Sequence, residues 1–179
     1  YNEGKIIIRD FIPASSEEFS IATSSSEDVM VFFREDLKYA YDNLPASWEP
    51  KTRVSAGNAA FNLGKSYLYS SEYDKAIPYL KAYQGTRGKW NNVDYYQLGY
   101  AYYKQNDFEA AISEFNKIIG GDNSVAQNAY YHLGESYINL DKKQEALNAF
   151  RNASQMDYDL KIQEDAWLNY AKISYEIGN

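Results

Sequence analysis

The stretch DYYQLGYAYYKQNDFEAAISEFNKI at positions 94–118 is written again at positions 128–153 as NAYYHLGESYINLDKKQEALNAFRNA. The two copies align with a shift of 35 residues, as Tyr95 and Tyr130 show (130 − 95 = 35), and the same shift toward the N-terminus finds a third copy. The later two copies share Tyr95/Tyr130, Tyr96/Tyr131, Leu98/Leu133, Gly99/Gly134, Tyr102/Tyr137, Ala111/Ala146 and Phe115/Phe150, and the first copy matches them with Leu63, Gly64, Tyr67, Ala76 and Leu80. Self-similarity at one fixed period is typical of a repeat architecture.

Each copy predicts two helices joined by a short turn. The first half places apolar residues at i, i+3, i+4 and i+7, and the second half at i, i+4 and i+7, which are both helical spacings. The polar segment 104–107 between them contains Asn106 and Asp107, residue types that favour a helix start. A mid-helix glycine costs about 1 kcal/mol relative to alanine. The return of glycine at 64, 99 and 134 therefore indicates close packing of the first helix on the second.

These residues resemble the tetratricopeptide repeat (TPR), a unit of about 34 residues made of two helices. The motif stands as Tyr95-x-x-Leu98-Gly99-x-x-Tyr102 followed by Ala111-x-x-x-Phe115, and it recurs 35 residues later. The resemblance covers residues 57–179 and implies an all-α solenoid that winds as a right-handed superhelix. The sequence of this region resembles that of long bacterial TPR proteins. The first unit departs from the pattern at Ala60, where a large residue is usual, and at Pro78, which we expect near the first turn of its helix.

The chain divides into three predicted parts. Residues 1–25 form an irregular arm, residues 26–56 a degenerate helical segment with a loop, and residues 57–179 a TPR array of three full repeats plus the first helix of a fourth. The fourth unit contains Trp167 and Tyr170, and no second helix follows it in the sequence. Because a solenoid needs a covered end, we expect a longer array, a covering chain, or self-association through this uncapped C-terminal helix.

Composition excludes several classes of function. The formal net charge of −7 argues against nucleic acid as a partner, since phosphate neutralisation needs clustered basic residues. There is no cysteine for disulfides or thiolate metal sites, and no apolar run approaches the length of a membrane span. No signal peptide is visible, and because the sequence opens at Tyr1 rather than Met we expect a processed or trimmed N-terminus that has lost its targeting information. The family resemblances lean toward the bacterial cell envelope.

A second resemblance covers residues 26–80. The pattern Leu37-x-x-Ala40-x-x-x-Leu44-Pro45-x-x-Trp48, followed by Arg53 and then Leu63-Gly64-Lys65, is similar to the helical scaffold of SusD/RagB-type outer-membrane lipoproteins. That resemblance implies an alternative function, a glycan-binding component of an outer-membrane nutrient-uptake system. Its candidate stacking platforms are Trp48, Trp90 and the tyrosines from 96 to 103.

Catalytic and cofactor chemistry has little support in the sequence. His132 is the single histidine and no nucleophile motif accompanies it, so we interpret it as a packed or solvated helix residue. The segment 85–89 (Gly-Thr-Arg-Gly-Lys) lacks the Gly-Lys-Ser/Thr ending of a phosphate-binding loop, so we interpret it as a loop between repeats. We therefore expect a protein that is not an enzyme, with no cofactor and no metal.

The remaining candidate is a binding surface. In a stacked array the first helices line the concave wall, and TPR proteins bind extended peptides there through Asn, Lys and aromatic side chains. The predicted partner-binding set is Asn58, Phe61, Lys65 and Tyr69 in the first repeat, Tyr96, Tyr100, Tyr103 and Lys104 in the second, and Asn128, Tyr131, Glu135 and Asn139 in the third. The alternative for any single tyrosine is that it covers a neighbouring helix. The sequence thus predicts a protein-interaction scaffold with a protein or peptide partner.

Overall fold

The computed structural model describes residues 25–45, 55–83, 85, 89–118 and 120–178. This part of the chain contains eight helices and no strand. They are α1 (Ser26–Asn43), α2 (Ala56–Tyr69), α3 (Tyr73–Ala82), α4 (Asn92–Lys104), α5 (Phe108–Phe115), α6 (Ser124–Asn139), α7 (Lys143–Ser154) and α8 (Leu160–Glu176). The predicted all-α helical-repeat solenoid is confirmed. The predicted arm over residues 1–25 lies outside the described residues except for Ser25. Trp48 and Arg53 also lie outside them.

Helices pack in consecutive pairs. The pairs α2–α3, α4–α5 and α6–α7 are each in extensive contact, and every second helix also contacts the first helix of the next pair. The first helix α4 contacts α6, and α6 contacts α8, so these helices form one wall of the solenoid. Since the extensive contacts of each described pair are with its neighbours, the array is built by stacking.

The turns inside the three pairs share one backbone conformation. Ser71, Asn106 and Asp141, which lie 35 residues apart, all have a positive φ, of 61°, 60° and 56°. The next backbone N–H reaches back to a tyrosine carbonyl in each case, as Asp107 N does to Tyr102 O at 3.0 Å. This hydrogen bond is typical of an α-helix whose C-terminus is followed by a residue in the left-handed conformation. Asn and Asp tolerate that conformation better than other non-glycine residues.

Side-chain caps start the helices where the sequence supplies Ser, Asn or Asp. Ser25 and Asp28 form a reciprocal capping box at α1, and Asn91 and Asp94 form another at α4. Asp107 accepts a hydrogen bond from Ala110 N at 3.2 Å and begins α5. Such caps satisfy backbone N–H groups that have no partner within the helix.

Glycine sets the approach of the two helices in each pair. A Cβ atom built on Gly99 would lie 2.8 Å from Cε1 of Phe115, and one on Gly134 would lie 2.8 Å from Cε2 of Phe150. Both phenylalanines are essentially fully buried, so their rings have little room to move. The repeated glycine therefore has a steric cause.

Pro78 does not lie where the sequence suggested. It is the sixth of ten residues in α3 and not near the first turn, so that expectation was wrong. The helix begins already at Tyr73, directly after the shared turn. Pro78 is exposed, so its ring lies on the solvent side of α3.

Arg34 makes several of the polar contacts between α1 and the first pair. Arg34 Nε donates to Ser66 Oγ at 2.8 Å, and its terminal nitrogens donate to Ser70 Oγ at 2.6 Å and to Glu72 Oε1 at 2.8 Å. Its guanidinium also lies 4.3 Å from the ring centroid of Tyr67. These bonds join residues that are 32 to 38 positions apart.

Near the C-terminal end of the array, a buried glutamine likewise joins separate parts of the chain by hydrogen bonds. Gln127 is 0% exposed; its Nε2 donates to Met156 O at 2.6 Å and Asp159 O at 3.1 Å, and its Oε1 accepts from Asp159 N at 2.7 Å. Buried polar groups are stable only when paired in this way. Gln127 therefore fixes the connection between α7 and α8 against α6.

Helix α8 leaves large side chains uncovered. Trp167 is 57% exposed and Leu168 is 70% exposed, while Ala166 and Ile173 are buried against α7. The predicted self-association through this helix, like the predicted domain boundaries, remains a prediction. A search of the described residues finds no helix long and apolar enough to cross a membrane.

Candidate functional site

The twelve predicted binding residues lie on the first helices of the three pairs. Those of the first repeat are on α2, those of the second on α4 and those of the third on α6. Their exposure differs widely. Asn58, Tyr69, Lys104 and Asn139 are exposed, whereas Phe61, Lys65, Tyr96, Tyr100, Tyr103, Asn128, Tyr131 and Glu135 are partly buried.

Three tyrosines of α4 form a row. Ring centroids of Tyr96 and Tyr100 are 6.0 Å apart, and those of Tyr100 and Tyr103 are 6.2 Å apart. Tyr96 also approaches the buried Phe115, at 5.9 Å, and burial raises its pKa above the usual range. The row is therefore anchored in the core at Tyr96 and opens toward solvent at Lys104.

His132 of α6 packs against all three rings. Its ring centroid lies 6.1 Å from Tyr96, 5.2 Å from Tyr100 and 5.0 Å from Tyr103. Sequence reasoning treated His132 as an ordinary packed or solvated residue and omitted it from the site. The signal that could have found it is the row itself, because half-buried tyrosines at i, i+4 and i+7 need a partner on the next helix.

Glu135 places a carboxylate beside this aromatic group. Its Oε2 lies 2.8 Å from Nδ1 of His132, and its side chain is 27% exposed. Burial and the charge of Glu135 raise the pKa of Tyr131 to about 12, and the same two causes raise the pKa of Tyr103. We call Tyr96, Tyr100, Tyr103, Tyr131, His132 and Glu135 the tyrosine cluster.

Two predicted lysines lie over aromatic rings of their own helices, α4 and α2. Lys104 Nζ is 5.3 Å from the ring centroid of Tyr100 and 5.6 Å from that of Tyr103. Lys65 Nζ is 5.0 Å from the ring of Phe61 and 5.8 Å from that of Tyr69. Among the residues that the structure describes, neither lysine forms an ion pair with a carboxylate.

The predicted asparagines bind mainly within their own helices. Asn128 Nδ2 donates to Ser124 O at 2.8 Å, and Asn139 Nδ2 donates to Glu135 O at 2.9 Å. Asn58 is close to the cap of α2, where its backbone N–H donates to Ser55 Oγ at 3.4 Å. The structure thus brings together the predicted residues of α4 with Tyr131 and Glu135 of α6, and it leaves the asparagines at the margins.

The aromatic residues proposed to stack on sugars differ in their surroundings. Trp90 donates from Nε1 to Tyr83 O at 2.7 Å, and its ring lies between Tyr83 and Tyr95 at centroid distances of 6.4 and 5.3 Å. A ring held in this way contributes to the link between the first and second repeats. Trp48 lies outside the described residues, so the tyrosine cluster is the remaining described platform.

The helix pairs, their shared turns and the aromatic wall of first helices define a TPR-type repeat protein. In agreement, the family model described as "Anaphase-promoting complex, cyclosome, subunit 3" matches residues 72–153. A comparison with the curated proteins finds no match. The solved structure titled "MamA MSR-1 C2" matches with 19% identity and a TM-score of 0.48, covering 82% of this chain and 95% of that one. These matches leave the SusD/RagB resemblance unconfirmed.

Proposed function

We propose that the protein is a non-enzymatic interaction scaffold that binds a peptide or protein segment on the first helices of the three repeats, α2, α4 and α6, which we call the binding wall. The tyrosine cluster is the observation that carries this proposal. A row of partly buried tyrosines with a histidine and a carboxylate provides a rigid aromatic surface and several hydrogen-bonding groups in one place.

Tyrosine suits such a surface for physical reasons. Its ring offers a large contact area at a small cost in side-chain entropy, and it is enriched among the residues that dominate binding energy. The rings of Tyr100 and Tyr103 are held by their neighbours before any partner arrives. A pre-organised surface loses less entropy on binding.

The lysines of the wall add charge recognition. Lys65 and Lys104 have no carboxylate partner among the described residues, so each can pair with an acidic group of the ligand. An attraction between such exposed charges weakens as salt is added. Binding should therefore be salt-sensitive while its aromatic part persists.

The experiment is affinity capture from a cell-envelope extract of the source organism, with bound proteins identified by mass spectrometry. We expect Tyr100→Ala to weaken capture by about 2 kcal/mol or more, the usual size for a central tyrosine, and Lys104→Ala to weaken it less. Matched controls are Tyr175→Ala, whose ring is 87% exposed on α8, and Lys172→Ala. Equal capture by all four variants would show that this wall is not the binding site.

A glycan array run beside the capture distinguishes the alternative function. Tyrosine rings can stack on sugars as well as on peptides. Glycan binding that is lost in Tyr100→Ala, without any captured protein, would favour a glycan-binding component of an uptake system over the interaction scaffold.

A further inference from the structure

One position of the repeat carries a different charge in each copy. Lys65, Tyr100 and Glu135 are equivalent, since each follows the repeat glycine directly at 64, 99 or 134. They lie on α2, α4 and α6, the three helices of the proposed binding wall. Because the repeats stack in chain order, the side chain at this position is positive in the first repeat, aromatic in the second and negative in the third.

Among the described residues, Lys65 has no carboxylate partner and Glu135 has no lysine or arginine partner. Lys65 is partly buried over the rings of Phe61 and Tyr69 and forms no ion pair among the described residues. Glu135 contacts His132 and, in the part of the chain that the structure describes, pairs with no lysine or arginine. Within the described residues, Lys65 therefore has no acidic partner, and His132 is the one basic side chain that pairs with Glu135.

Tyrosine rings lie beside Glu135. Aromatic faces carry negative electrostatic potential, and cations bind over them. Tyr103 and Tyr131 lie close enough to Glu135 for its charge to raise their pKa values. Lys104 lies one helical turn beyond Tyr100, at the last residue of α4.

We infer that the wall binds an extended segment of ordered charge, with an acidic side chain at Lys65, an aromatic or aliphatic side chain on Tyr100, and a lysine or arginine at Glu135. The inference rests on the proposed function, since it specifies the ligand of the same wall. Charge complementarity between the wall and the segment selects this ligand and fixes how it lies.

The fold also sets the spacing of the two charges. We take the first helices of successive repeats to be one helix-packing distance apart, about 8–10 Å, which puts α2 and α6 roughly 20 Å apart. An extended chain advances about 3.3–3.6 Å per residue. The acidic and basic residues of the ligand should therefore be about six positions apart, with the apolar residue midway.

The test is selection from a displayed library of random twelve-residue peptides on the wild-type protein and three variants. Wild type should enrich peptides that carry an acid and a base about six positions apart. Glu135→Lys should enrich acids at both places, and Lys65→Glu should enrich bases at both. Tyr100→Ala should weaken the selected peptides about thirtyfold, the effect of a central tyrosine.

Selected peptides are then synthesised with the base or the acid replaced by alanine. Loss of the peptide's base should weaken binding to wild type about three- to fivefold, and it should have no effect on Glu135→Gln. Glu164→Gln, an exposed carboxylate of α8, is the matched control.

The outcomes separate the two proposals. Peptides that depend on Tyr100 but show no charge preference, or a preference that Lys65→Glu and Glu135→Lys leave unchanged, overturn the charge order and keep the binding wall. Failure of wild type to select any peptide, or selected peptides that ignore Tyr100→Ala, overturns both.

Discussion

The contact between Gly99 and Phe115 gives the sharpest test of the repeat packing. In Gly99→Ala, the new Cβ would lie 2.8 Å from Cε1 and 2.9 Å from Cδ1 of the Phe115 ring, and 3.2 Å from Cβ of Glu114. Contacts under 3.0 Å require movement. Phe115 is 0% exposed, so the ring cannot turn away into solvent, and α4 and α5 must separate.

Two opposing effects set the size of the change. Alanine is a better helix former than glycine by about 1 kcal/mol. Overpacking a well-packed core costs about 1–3 kcal/mol. We therefore expect Gly99→Ala to lower the free energy of unfolding by about 1 kcal/mol, although an alanine in an open helix would raise it. Gly99→Leu should lose more, because its longer side chain meets the same ring.

The assay is urea unfolding followed by circular dichroism, combined with a double-mutant cycle. Phe115→Leu removes the ring edge that carries Cε1, so Gly99→Ala should cost about 1 kcal/mol less in that background. Ser113→Ala, at an exposed position of α5, is the control and should change stability by less than about 0.5 kcal/mol. A Gly99→Ala protein as stable as wild type, or a cycle without coupling, would refute the steric explanation.

Two further predictions concern buried polar groups. Gln127→Leu should destabilise the protein by about 2–3 kcal/mol, because it leaves the backbone groups of Met156 and Asp159 without their partners; Gln144→Leu, at an exposed position of α7, should have little effect in the same urea titration. Tyr131 has a folded pKa of about 12, above the unfolded value of about 10, so the unfolded state releases its proton first and stability should fall as pH rises from about 10 to 12. Tyr131→Phe should make that fall less steep in urea titrations over this range, whereas Tyr175→Phe should not; an unchanged slope for Tyr131→Phe would contradict the assigned burial.

Local sequence patterns determined the repeating unit. The helical spacing and the Asx residues before α5 and α7 each act over less than two helical turns, and the glycine at 64, 99 and 134 acts within its own helix pair. Their effects therefore do not depend on distant parts of the chain. This is why the helix pairs, their turns and the all-α repeat fold could be predicted without coordinates.

The position of Pro78 and the role of His132 could not be predicted in the same way. Pro78 was assigned to a first turn because helix boundaries are the least certain part of a periodic pattern. His132 has no motif around it in its own helix, and apart from Tyr131 its aromatic neighbours come from α4 and α5, 17 or more residues earlier (132 − 115 = 17).

The tertiary structure, and not the local sequence, determines which residues contact each other across helices that are distant in sequence. Arg34 finds Ser66 and Glu72, and Gln127 finds Met156 and Asp159, across 29 to 38 positions of sequence. Periodicity tells which side of a helix is buried, but it does not tell which distant group will complete a hydrogen bond there. The stacking of repeats supplies those partners, and it also brings Glu135 beside the tyrosines of α4.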